Sequence, residues 1–422
     1  MESLLYDLGI HVLRATYGVA AWFHPKAKLF REGRETQRKQ LRETFPLPNV
    51  APLVWFHCAS LGEFEQGRPV IEALKARQPR VRILLTFFSP SGYEVRKNYP
   101  GADYVLYLPW DTRNNAEWFV NQVRPAVAVF VKYEFWFHFS ESLRKHRIPL
   151  ISISAIFRPD QVYFKSHGGL FRKTLRNFSW FFVQNETSIE LLKGLGISSV
   201  TLAGDTRFDR VAIVAEQKEE IAAARDFKSS QKLMVIGSAW PDDMAVLMPF
   251  MNAHKDNMKF IVAPHEISDS MLTSLEKNFQ GRTVRYSQSG DQDLHDSHLL
   301  LVDTIGMLSR LYRYGEYAFV GGGYKEGLHN ILEAAAFGIP VFFGSKAPYG
   351  KYQEAVDLTA AGGAFAVADT TELTQAYEAL DQDGSAYERA ARTCGEYVQK
   401  NRGATERITQ HLLQTLQAWK GE

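Results

Sequence analysis

Cysteine is almost missing from this 422-residue chain: Cys58 and Cys394 lie far apart, with no metal-ligand spacing. That excludes a disulfide framework and a cysteine-based zinc site, and it fits a reducing, cytoplasmic compartment. Net charge is nearly missing too, since 49 Lys and Arg against 47 Asp and Glu leave +2. Nucleic-acid binding driven by bulk charge is thereby excluded, which leaves room only for local patches. There is no GxxxxGK[ST] phosphate loop, no HExxH and no GxSxG nucleophile elbow. Internal repeats, low-complexity tracts and flexible linkers are absent as well. Nor is there a clean membrane span, because Asp7, His11 and Arg14 interrupt Met1–Phe23 and no small-residue cleavage site follows.

What is present is apolar material, 45% of residues, with aromatics at 13%. At this length two α/β lobes are the natural expectation. Leu4, Leu5, Leu8, Val12, Ala15 and Val19 recur at helical spacing, and Trp22 and Phe23 follow. Lys26, Lys28, Arg31, Arg34 and Arg38 come next, lightly diluted by Glu32 and Glu35. An apolar helix ending in aromatics beside a basic segment predicts association with an anionic membrane face over residues 1–45. The alternative is a helix packed on the protein's own core.

From Leu53 onward the chain alternates short apolar runs with helical patterns. Runs at 53–59, 81–88, 103–109, 126–131, 149–155 and 180–185 predict a first parallel sheet. Runs at 232–238, 259–265, 283–287, 298–303, 317–322, 340–344 and 364–368 predict a second. A lysine- and glutamate-rich helix reaching about Ser230 reads as the connection. Two doubly wound domains, 46–215 and 216–395, are expected to face each other across a cleft. A long helix, Tyr387 to Trp419, is expected to carry 396–422 back to the first domain. Ligands of such sheets bind beyond the carboxyl ends of the strands.

The stretch 319–344, FVGGGYKEGLHNILEAAAFGIPVFFG, carries the strongest signal. It reads as a strand, a turn at Gly321-Gly322-Gly323 where backbone can come close to something, a helix from Ile331 to Phe337, and another strand. A helix start at His329-Asn330 suits a phosphate, and Glu333, one turn in, suits ribose hydroxyls. At other strand ends stand Ser60-Leu61-Gly62-Glu63, Ser89-Pro90-Ser91, Lys132-Tyr133-Glu134, His265 and Asp303-Thr304-Ile305-Gly306. Glu63 is either a general base or a first-turn acid that steadies its helix.

With these residues in view, the chain resembles the 3-deoxy-D-manno-octulosonic acid (Kdo) transferases, inverting glycosyltransferases of the two-lobed glycosyltransferase-B fold. The resemblance runs over nearly the whole chain. It is carried by HCASLGE (57–63), YLPWD (107–111), YEFW (133–136), QNETSIELLKGLGI (184–197), AGDTRFD (203–209), DTIGML (303–308) and GGGYKEGLHNILEAAAFGIPV (321–341). It implies that Glu63 is the base, with Ser60 and Gly62 shaping the turn beside it. It also implies that His265, Asp303, Thr304, Ile305, Gly306, Gly322, Asn330 and Glu333 hold the cytidine monophosphate part of CMP-Kdo. Ser89, Ser91, Lys132, Glu134 and Arg158 would stand in the acceptor region, and a lipid A precursor at the cytoplasmic face of the inner membrane would be the acceptor. No metal is expected, because the donor has one phosphate and no DxD stands at a strand end. Lys132, Pro264, Met307, Leu328 and Ile156 depart from the family pattern. The alternatives are a same-fold transferase using a UDP-sugar and a non-catalytic sugar-nucleotide-binding protein.

Overall fold

In the computed structural model, which describes residues 2–35, 37–45, 51–291 and 294–419, the apolar runs become strands. β1 (Leu53–Cys58), β2 (Arg82–Phe87), β3 (Tyr104–Tyr107), β4 (Val127–Val131), β5 (Leu150–Ala155), β6 (Trp180–Val183) and β7 (Val200–Leu202) form one sheet. β8 (Lys232–Ala239), β9 (Met258–Pro264), β10 (Thr283–Arg285), β11 (Leu299–Leu301), β12 (Tyr317–Val320), β13 (Val341–Gly344) and β14 (Ala364–Val367) form the other. All the described pairings are parallel. Parallel strands need both faces covered, and successive residues of β1 show it. Trp55 packs with Phe119, Phe130 and Phe139 on one face, and Phe56 joins Phe64 and Val129 on the other.

The first sheet runs β3-β2-β1-β4-β5-β6-β7, so its order reverses between β1 and β4. The second runs β10-β11-β9-β8-β12-β13-β14 and reverses between β8 and β12. It does not copy the first, because β11 inserts between β9 and the three-residue edge strand β10. At such reversals the connecting helices leave to opposite faces and the strand ends lie open to ligands.

The chain divides into unit 1, Met1–Arg210 with Arg402–Glu422, and unit 2, Val211–Asn401. The expected divisions stood at 215/216 and 395/396, and the expected boundary after residue 45 lies outside the described residues. The connection is not one helix: Thr206–Glu216 and Ala222–Lys228 are separate, with the charged run 217–220 irregular between them. The expected helix from Tyr387 to Trp419 also breaks. Gly384–Lys400 stays with unit 2, Gly403 turns the chain at φ +105°, and Ala404–Gln417 packs on unit 1 through Ala404, Ile408 and Leu412. Asp209 caps that last helix, accepting the N–H of Gly403 at 2.6 Å and of Thr405 at 2.8 Å.

The first helix, Glu2–Ala20, lies on unit 1 by its polar and aromatic side. Tyr6 donates to Asp111, Asp7 meets His138 at 2.6 Å, and Tyr17 stacks on Phe30 of the helix Pro25–Glu35. The stripe read from the sequence faces outward instead: Leu4 is 70% exposed, Leu8 60%, Val19 60% and Trp22 77%. No described helix is long and apolar enough to cross a membrane.

Candidate functional site

Four neighbouring strands of unit 1, β2-β1-β4-β5, bring Ser89, Glu63, Lys132, Glu134 and Arg158 to one rim. Ser60 caps the helix Leu61–Arg77, and Glu63 reaches back to complete a capping box. One oxygen, Glu63 Oε2, accepts from the Ser60 N–H at 3.1 Å and from the Ser60 hydroxyl. The first-turn role is therefore real, and it occupies one carboxylate oxygen. Gly62 is exposed beside it. Ser89 caps the helix Pro90–Arg96, its hydroxyl accepting from Ser91 N–H at 3.2 Å, so both serines are partly spent on structure.

Glu134 is clamped. Buried His57 donates from Nε2 to Glu134 Oε2 at 2.9 Å, and Trp136 Nε1 donates to the same oxygen at 2.7 Å. His57 Nδ1 lies 2.9 Å from the Thr86 hydroxyl and 3.1 Å from the Thr86 carbonyl. HCASLGE and YEFW thus meet because β1 and β4 pair at the reversal of the sheet, which no local pattern announces. Lys132 takes a left-handed backbone, φ +65°, and its ammonium lies 5.4 Å from the Tyr133 ring. Burial raises the Tyr133 hydroxyl above its usual range; a hydrogen bond from Arg158 lowers it, and the charge of Glu63 raises it. Those interactions place Tyr133, Arg158 and Glu63 in one neighbourhood.

In unit 2 the strands β11-β9-β8-β12 carry the other candidates side by side. Asp303 is engaged by Ser287, whose N–H and hydroxyl donate to its two oxygens at 2.9 and 2.5 Å. Thr304 donates to the Met307 sulfur at 3.3 Å, Ile305 is 95% exposed, and Gly306 turns at φ +94°. Asn330 donates to Glu333 Oε1 at 3.3 Å and accepts from Leu332 N–H at 3.3 Å, so the two polar candidates are mutually oriented.

Two expectations need correction here. The helix after Asn330 is only Leu332–Ala335, because the chain tightens into i→i−3 bonds before Gly338 at φ +65°. One turn sums few peptide dipoles, so a phosphate must rely on side chains and individual N–H groups. The glycine triplet closes on the protein's own backbone. A Cβ on Gly321 would stand 2.3 Å from Ser238 O, on Gly322 2.3 Å from Gly327 O, and on Gly323 2.1 Å from Gly344 O.

Sequence reasoning missed the residues that tie this rim together. Trp240 stacks on His265 with centroids 4.2 Å apart and donates to His329 Nε2 at 3.1 Å. Asp243 Oδ2 accepts from the N–H of Trp240 and of Gly322, both at 2.8 Å. Burial, with Asp242 nearby, raises the Asp243 carboxyl to about 6, against the lowering effect of those two bonds. Burial and then His265 lower the His329 imidazole to about 4, and desolvation lowers His265 as well. The run Trp240-Pro241-Asp242-Asp243 at the end of an apolar run was the available signal, a helix start with an acid at its third position.

Of the basic segment, Lys26 and Lys28 are exposed and Arg31 half-buried. The Arg38 side chain lies outside the described residues. Arg34, expected among the outward charges, is enclosed. It donates to the carbonyls of Leu108, Phe30 and Phe88 at 2.9, 3.1 and 2.6 Å, and its guanidinium lies 3.7 Å from the Phe30 ring centroid. Desolvation there lowers it to about 9.

The family model described as 3-Deoxy-D-manno-octulosonic-acid transferase (kdotransferase) matches residues 31–210. A 3-deoxy-D-manno-octulosonic acid transferase of Rickettsia bellii (strain RML369-C) is 25% identical over 299 residues, 69% of this chain and 71% of that one. Its counterpart of Aquifex aeolicus (strain VF5) is 28% identical over 351 residues, 80% of this chain and 89% of that one. Among solved structures, UDP-GlcNAc 2-epimerase from Neisseria meningitidis bound to UDP-GlcNAc is similar with a TM-score of 0.62 at 18% identity. That likeness covers 86% of this chain and all of the other, and it speaks to the fold.

Proposed function

We infer that this chain belongs to the 3-deoxy-D-manno-octulosonic acid transferase family and is a glycosyltransferase that moves Kdo in lipopolysaccharide biosynthesis, and its substrates and residue roles are read from that premise. The donor is CMP-Kdo, taken by the unit 2 rim, where His265, Asp303, Thr304, Ile305, Gly306, Gly322, Asn330 and Glu333 stand. The acceptor is a glucosamine hydroxyl of a lipid A precursor. Ser60, Gly62, Ser89, Ser91, Lys132, Glu134 and Arg158 of the unit 1 rim surround it.

In the reaction the acceptor oxygen bonds to the anomeric carbon as the bond from that carbon to the phosphate oxygen breaks. Configuration inverts, CMP leaves, and Glu63 takes the hydroxyl proton. The observation that carries this is the state of Glu63, with Oε2 bonded to Ser60 and Oε1 left to accept a proton. Asn330 and His265 meet the departing phosphate as hydrogen-bonding groups placed beforehand. A single phosphate needs no divalent ion, so none is assigned.

The outward stripe of the first helix, with Trp22 and Phe23 exposed beyond it, lies on the inner-membrane surface at its cytoplasmic face. Lys26 and Lys28 add attraction to anionic lipid. The test is incubation of purified protein with CMP-sugars, UDP-sugars and lipid A precursor, read by mass spectrometry. Kdo added only from CMP-Kdo, in the presence of EDTA, is the expected result. Transfer from a UDP-sugar, or none at all, would overturn the reading.

A further inference from the structure

Trp240 fixes the proton of His329. Its Nε1 donates to His329 Nε2 at 3.1 Å, and the two ring planes lie 15° apart. An indole N–H can only donate, so Nε2 presents its lone pair and the uncharged imidazole carries its proton on Nδ1. His265 lies over both rings, its centroid 4.2 Å from that of Trp240 and 4.6 Å from that of His329. Asp243 Oδ2 holds the backbone on both sides of the pair, through the N–H of Trp240 and of Gly322. The His329 N–H in turn donates to Gly321 O at 3.2 Å. The three rings stand at the ends of β8 and β9 and in the loop after β12, where the second sheet reverses. Ligands of such sheets bind at that reversal.

Among the described residues none bonds to His329 Nδ1, and that atom is not sealed from solvent. A second proton would set an N–H at Nε2 against the indole N–H. Burial, and then His265, already hold this imidazole down to about 4. The charged side chains on the same three segments are Asp242, Asp243, Glu266, Lys325 and Glu326. Lys325 lies 4.0 Å from Asp242 and 3.7 Å from Glu326, and Glu266 and Glu326 both act on His265.

We propose that His329 Nδ1–H is an uncharged hydrogen-bond donor to the phosphate of the sugar nucleotide, and that Trp240 is the positioning residue that keeps the proton there. The proposal rests on the reading that the unit 2 rim takes CMP-Kdo. A departing phosphate needs hydrogen bonds and no added proton; a neutral imidazole supplies the first and withholds the second.

The whole protein, carrying ¹⁵N-labelled histidine, is followed by long-range proton–nitrogen correlation spectra, and His329→Asn and His329→Gln identify the signal by its loss. Wild-type His329 is expected to hold its proton on Nδ1 from about pH 5 to about pH 8. Trp240→Phe keeps an aromatic ring and removes the N–H, so it should give mixed tautomers and a ring that protonates at higher pH. A proton on Nε2 in the wild type, or an unchanged tautomer in Trp240→Phe, would overturn the positioning role. Calorimetry with CMP tests the donor. Asparagine can set an N–H where Nδ1 stood and glutamine where Nε2 stood. His329→Asn should therefore bind CMP at least about fivefold more tightly than His329→Gln. Equal affinity in those two variants would overturn the role of Nδ1, and this comparison decides even if Trp240→Phe does not fold. No binding of CMP by the wild type would instead overturn the premise about the unit 2 rim, on which the spectra do not depend.

Discussion

Glu63 has to serve two purposes with one carboxylate, and a single substitution separates them. Glutamine can still complete a capping box, so Glu63→Gln should keep the thermal midpoint and hold CMP-Kdo within a few-fold. It should lose about two to four orders of magnitude in single-turnover transfer. Full turnover would return Glu63 to a purely structural role. Asp243 and His329 set up an opposed pair in acid. The Asp243 carboxyl, raised to about 6, lets the native state hold a proton the unfolded chain has released, so stability from this group falls as pH rises from about 4 to 6. His329, lowered to about 4, contributes stability above 6.5 that is lost as pH falls toward 4. Urea midpoints at pH 4.5 and 7 should therefore show a steeper acid loss in Asp243→Asn and a shallower one in His329→Gln. These residues were harder to read than Glu63, because their roles come from strands distant in sequence. Trp240 touches His265 and His329 only once β8, β9 and β12 lie side by side.

At the scale of elements, apolar runs were legible nearly to the residue, since a parallel strand buried on both faces must be continuously apolar. Helix direction was not. The spacing of Leu4, Leu8 and Val12 marks one face, and only Tyr6, Asp7 and Tyr17 reveal that the opposite face meets the protein. Deleting residues 1–23 would remove those contacts along with the apolar stripe. Leu4→Asp with Leu8→Asp is the cleaner change and should release the protein from anionic vesicles at unchanged stability. Charge reversal at Lys26 and Lys28 should weaken vesicle binding most at low salt, as flotation across ionic strength would show. Arg34 belongs to a different class. Arg34→Gln forfeits charge-assisted bonds to three carbonyls and should cost roughly 3 kcal/mol or more by urea unfolding, whatever the lipid. A basic run looks the same in sequence whether its members face lipid or an aromatic cage.

At the scale of the molecule, the two sheets were plain in the order of the runs except for β7, whose three residues Val200–Leu202 are not fully buried and were not read as a strand. The insertion of β11 beside β9 was hidden, because edge order depends on pairings between distant segments. The break at Asn401–Gly403 was blurred by helical patterns on both sides. Unit 2 is one continuous stretch with its own core, so a fragment of residues 211–401 should fold and bind CMP by calorimetry. Failure to fold would show that the division is only geometric. Unit 1 is discontinuous, and this bears on how the protein is made. A ribosome delivers β1 to β7 first, then all of unit 2, and only then the helix Ala404–Gln417, which packs Ile408 and Leu412 into the core shared by the helix Leu61–Arg77 and β4. For the time of nearly two hundred peptide bonds, at about 5–20 residues per second, that face of the nascent sheet has the helix Leu61–Arg77 on it and lacks Ile408 and Leu412. The earliest-made half is thus the last to be finished.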